Sequence, residues 1–111
     1  MIIVNLTPHE IILRDEFGAD TAYPSQGVAR VRSVPGEHLS GPLWSAPIWG
    51  EVEGLPEPTG DVFIVSALVA ARCAGRGDVF SPGTGPNDGC VRDDAGRIVA
   101  VTRLIQAPDR C

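Results

Sequence analysis

The chain has 111 residues, 43% apolar and 21% charged, so it is long enough to bury a core and too apolar to remain disordered. Its formal net charge is −5 and all nine of its cations are arginines; this balance argues against wrapping duplex nucleic acid, which depends on neutralising phosphates. No apolar run reaches the ~20 residues that span a bilayer, and Met1 leads straight into a strand pattern without a basic leader, so a cytoplasmic, reducing setting is expected.

Thirteen glycines and ten prolines predict many turns and short elements. The expectation is one domain over 1–111. Its class is α+β, β-rich, with a mostly antiparallel sheet or partly open barrel and one short helix near 66–74. In chain order, residues 2–6 and 10–14 read as strands joined in a hairpin by the turn Thr7-Pro8-His9, since Pro8 biases Thr7 toward extended angles. The segment 15–24 is polar and loop-like. The alternation Val28-Ala29-Arg30-Val31-Arg32 predicts a half-buried strand with Arg30 and Arg32 on one face. Residues 33–47 read as irregular, with Trp44 and Trp49 expected as core anchors, and 48–53 as a strand with outward acids.

The continuous apolar run 62–65 predicts a buried strand. Ser66 then caps a helix of good formers, Ala67 to Ala74, that Gly75 ends. Residues 78–80 form a short strand, and 90–105 a hairpin turning at Asp93-Asp94-Ala95-Gly96. Alternation along 98–105 places Arg103 with Val99, Val101 and Ile105 on a largely buried face, where it would need an acidic or ligand partner. Cys73, Cys90 and Cys111 form an odd set without a CxxC spacing and read as free thiols, so no metal is expected.

The most distinctive stretch is Ser81-Pro82-Gly83-Thr84-Gly85-Pro86-Asn87-Asp88-Gly89. Glycine and proline set its backbone, and such loops can gather N–H groups around an anion, although a rigid turn explains the same residues. It lacks the Gly-Lys-Ser/Thr of a phosphate-binding P-loop. The candidate ligand-binding set is Asn5, Thr7 and His9 in the first turn, Ser66 at the helix start, Ser81, Thr84, Gly85, Asn87 and Asp88 in the loop, and Arg103. His9 is the one candidate acid or base, and no nucleophile motif accompanies it.

The motifs Val4-Asn5-Leu6-Thr7-Pro8-His9-Glu10, Gly54-Leu55-Pro56-Glu57-Pro58 with Ile64-Val65-Ser66-Ala67-Leu68-Val69, and the 81–89 loop with Ala100-Val101-Thr102-Arg103-Leu104 fall in an order that resembles a group of small proteins, without an assigned activity, in bacteriophages and in actinobacteria such as Streptomyces. The resemblance implies a setting, phage or prophage or high-GC bacterial genomes, rather than a reaction. The leading expectation is a binding protein without a cofactor, taking a small anionic, nucleotide-like molecule; in a phage setting, one use is capture of a host defence signal nucleotide. The alternatives are a nucleotide-processing enzyme using His9, or a non-catalytic interaction protein whose tryptophans form a contact surface. A homo-oligomer is expected under each.

Overall fold

The buried run that begins at Val62 sets the layout. The computed structural model describes residues 2–85 and 88–108. Among these, the strands are β1 (Ile3–Asn5), β2 (Ile11–Arg14), β3 (Asp20–Tyr23), β4 (Arg30–Val34), β5 (His38–Ser40), β6 (Leu43–Trp44), β7 (Ile48–Glu53) and β8 (Val62–Ile64). After the helix α1 (Ala67–Ala71) come β9 (Val79–Pro82), β10 (Val91–Arg92), β11 (Ile98–Ala100) and β12 (Leu104–Gln106). The expected class holds: a strand-rich α+β fold of several small, mostly antiparallel sheets, none of them closed into a barrel.

The largest sheet has the order β1-β8-β9-β12 and is mixed. Strands β1, β8 and β9 run parallel, and β12 closes the row antiparallel to β9. The expected β1–β2 hairpin does not form. Instead β1 pairs with β8 (Ile3 opposite Val62, Asn5 opposite Ile64), while β2 pairs with β3 across residues 15–19, where a loop was expected. The Asp15 carboxylate accepts from the amides of Phe17 and Ala19 and so supplies the turn that frees β3 to pair.

Ile64, Val65 and Val79 are completely buried, as side chains between a sheet and its covering layer should be. Phe63, Val65 and Val79 join Leu6, Val69 and Ala70 in the core, so α1 covers one face of the β8–β9 pair. Each of the Leu, Val and Phe side chains contributes roughly 1.5–3 kcal/mol of transfer free energy. Ser66 is the N-cap, its hydroxyl accepting from the Val69 amide at 3.3 Å. The helix stops at Ala71, short of the expected Ala74: the amides of Arg72 and Cys73 reach back only three residues, to the carbonyls of Val69 and Ala70, so the last turn tightens. The C-terminal hairpin turns as expected, with β10 against β11 and the Asp93 carboxylate accepting from Ala95 and Arg97.

Two sequence expectations fail in instructive ways. The segment 98–105 is not one strand. It breaks between β11 and β12, where the Thr102 hydroxyl lies 3.1 Å from each of the carbonyls of Asp88 and Gly89, so the alternation restarts and Arg103 is exposed. The segment 33–47 is not irregular, and its tryptophans are not core anchors. β4 and β7 pair, and beyond them β5 and β6 pair in a second ribbon, leaving Trp44 60% and Trp49 38% exposed. The base of this nested hairpin packs on the core through Val31 and Val52, while its far end, β5–β6, contributes no core residue. The molecule measures 53 × 39 × 24 Å with a radius of gyration of 16.0 Å, against about 13 Å for a compact chain near this length.

Candidate functional site

Parallel pairing decides what meets. β1, β8 and β9 point the same way, so the segments that follow them (Leu6 to His9, Val65 to Ala67, and Gly83 onward) leave from one edge of the sheet. Ligands of open parallel sheets bind beyond such carboxyl ends. Here that edge holds a hollow of about 300 Å³. Thr7, Pro8 and His9 line it from the first turn, Ser66 and Ala67 from the helix start, Pro82 and Thr84 from β9 and its loop, and Ile11 from β2. A second hollow of about 370 Å³ shares Thr7, Pro8 and Ser66 with the first and carries Arg30, Val28 and Leu68 on its far side.

The turn between them is held from below by Asn5, which is fully buried. Its side-chain amide donates to the carbonyls of His9 and Tyr23 at 2.8 and 2.7 Å. Its oxygen accepts from the Thr7 amide at 2.9 Å and from the Thr7 hydroxyl at 2.6 Å. Both donors and both lone pairs of the amide are thereby used. The Thr7 hydroxyl also lies 2.9 Å from the His9 carbonyl, and the Ser25 hydroxyl donates to the Thr7 carbonyl at 2.6 Å. Asn5 therefore shapes the site and has no group left for a ligand.

The described part of the 81–89 loop is braced by Asp88. The Asp88 carboxylate accepts from the Gly85 amide at 2.8 Å, and the Asp88 amide donates to the Gly85 carbonyl at 3.1 Å. Gly83 donates to the Arg103 carbonyl, and a Cβ on Gly83 would come within 2.8 Å of the Arg103 side chain, so glycine permits this close approach.

Of the candidate residues, Thr7, His9, Ser66 and Thr84 come together at the first hollow. Asn5 lies beneath it. Ser81 is buried within β9 opposite Ile105, Gly85 and Asp88 brace the loop, and Asn87 falls outside the described residues. Arg103 lines neither hollow. The cation that does is Arg30, which forms no salt bridge among the described residues. The alternation 28–32 marked Arg30 as outward-facing, yet gave no sign that β4 runs past the Ser66 turn.

Chemically the pair of hollows offers apolar walls (Pro8, Ile11, Ala67, Pro82), three hydroxyls, one imidazole and one guanidinium. Glu10 lies in an adjoining groove with Ile11, Pro82 and Thr84. No Ser, Thr or Cys side chain hydrogen-bonds the His9 ring among the described residues, so no primed nucleophile–base pair is present. Among the same residues no cluster of three or more His, Cys, Asp or Glu is placed to hold a metal, and no helix is long and apolar enough to cross a membrane. Cys73 is a buried free thiol that burial holds above its ordinary pKa, and Cys90 is half-buried and free.

No protein-family model matches the chain, and neither a curated protein nor a solved structure matches it.

Proposed function

We propose that the protein binds a small anionic molecule across the paired hollows at Ser66. The observation that carries this reading is the convergence of three chain segments, each following a parallel strand, on one partly apolar recess with Arg30 and His9 on its two sides. The anionic group sits at the Ser66 hydroxyl, whose own hydrogen is uncommitted among the described residues, on the side of the Arg30 guanidinium, and the apolar body lies on Pro8, Ile11 and Pro82. One guanidinium and one imidazole suit a single phosphate or carboxylate better than a polyphosphate, whose charges would stay unpaired. A nucleoside monophosphate or cyclic nucleotide is the first class to test. Capture is favoured over turnover, because among the described residues no hydroxyl or thiol hydrogen-bonds the His9 ring. Use as a trap for a defence signal nucleotide rests on the phage-type motifs alone. The reading includes a homo-oligomer in the cytoplasm.

Isothermal titration against nucleoside monophosphates, cyclic nucleotides and matched carboxylates tests this. Ala67 is exposed at the rim, so Ala67→Phe fills the recess without touching the core. The expected result is binding by wild type, at least about 100-fold weaker in Ala67→Phe and about tenfold weaker in Arg30→Ala. Ligand recovered intact after denaturation supports capture, whereas His9-dependent conversion supports an enzyme. Absence of heat across the panel, or equal binding by Ala67→Phe, removes the proposal.

A further inference from the structure

The nested hairpin is built like half of an interface. Val34, Leu39, Leu43, Trp44, Ile48 and Trp49 are between 38% and 67% exposed, and all fall between residues 34 and 49. Val34 and Ile48 are direct cross-strand neighbours, and the Trp44 ring lies 5.0 Å from that of His38. The Arg72 guanidinium lies over the Trp49 ring, 5.9 Å from its centroid. Among the described residues each of β4, β5, β6 and β7 pairs on one side only, so both ribbons keep free edges. Two-stranded ribbons are marginal in water without another layer, and the described residues supply none for the β5–β6 ribbon beyond its own turn contacts with Glu37, Gly41 and Ser45.

We infer that the far part of the β4–β7 arm, residues 34–49, is the surface through which two copies of this chain associate, arm against arm about a two-fold axis. This names the surface for the homo-oligomer of the reading above and rests on it. Two features select a second copy as the occupant. The first is area. At ~150–250 Å² per large side chain, the six residues leave roughly 600 Å² open, close to the ~800 Å² per partner of a standard interface once a polar rim is added. The second is charge. Two molecules of net charge −5 repel, and contact is tolerated only where acids are scarce. Between Ser33 and Gly50 the sole Asp, Glu, Lys or Arg is Glu37. Charge depletion with aromatic enrichment is the composition of an interface core.

Both tryptophans of the chain lie on the arm, so association reports itself. Sedimentation equilibrium and tryptophan emission of the wild-type chain are followed from about 0.1 to 100 µM. The expected result is a dimer at the upper end, with emission moving to longer wavelength on dilution as Trp44 returns to water. Leu43→Asp combined with Ile48→Asp is expected to weaken the dimer by more than about 100-fold, with an unchanged far-UV circular dichroism spectrum, since neither residue belongs to the core. A wild type that stays monomeric overturns both the homo-oligomer and the arm. A dimer that survives the two substitutions overturns the arm alone. Should the double variant not fold, a wild-type dimer whose tryptophan emission ignores concentration overturns the arm equally.

Discussion

Replacing Asn5 by alanine tests whether one buried amide holds the turn that shapes the site. The substitution strips four hydrogen bonds. The Thr7 amide is buried and loses its only acceptor there, at a cost of about 1–3 kcal/mol. The carbonyls of His9 and Tyr23 are partly reachable by water, so each loss costs less, about 0.5–1 kcal/mol. The Thr7 hydroxyl turns to the His9 carbonyl it already approaches and loses little. The total is about 3 kcal/mol, a lowering of Tm by about 10–15 °C for a chain of this size. Thr7→Val keeps the amide bond to Asn5 and is expected to cost only about 1 kcal/mol. Asn5→Asp keeps the acceptor but sets a negative charge against two carbonyls, so at neutral pH it is expected to be worse than alanine. Its carboxyl pKa is raised in the folded state, so its stability recovers as pH falls through that value. Urea titration followed by circular dichroism measures all three. If Asn5→Ala costs no more than Thr7→Val, the amide is not the clamp described here.

Asp78 accepts two bonds of 2.8 Å from the Arg76 guanidinium, which holds its carboxyl below the ordinary carboxylate range. A depressed folded pKa stabilises above the unfolded value of about 3.9 and ceases to do so as pH falls through the folded value. Wild type is therefore expected to exceed Asp78→Asn in stability at pH 6 and to converge with it in acid; a gap that does not change with pH refutes the linkage. Cys73 is buried with a raised pKa, while Cys90 is half-buried. In single-cysteine variants, a thiol reagent is expected to label Cys73 only at the rate of global opening, and labelling as fast as at Cys90 contradicts its place in the core.

Local signals were legible wherever the deciding contacts are local. The run from Val62 followed by Ser66 and helix formers carried β8, the N-cap and α1, and the Asp93–Gly96 turn carried the last hairpin. Partner choice was not legible. Thr7-Pro8-His9 looks like a hairpin turn, but the Asn5 side chain takes the turn's polar groups and β1 pairs far downstream. That parallel pairing is also what gathers Thr7, His9, Ser66 and Thr84, so their proximity had no signature in spacing. Arg103 was misread because alternation holds only within an unbroken strand. The tryptophans were misread because apolar character marks surfaces that avoid water and does not say whether the cover comes from the same chain.

The pairing of Ile3 with Val62 also sets an order of events at the ribosome. Strand β1 emerges ahead of its ladder partner, the stretch beginning at Val62, which is made about 3–12 s later at roughly 5–20 residues per second. Until then Ile2, Ile3 and Val4 travel as a sticky, unzipped segment. The sheet's outermost parallel strand is translated early and seated late, so nascent chains stalled before Val62 should be the ones that chaperones hold and proteases cut.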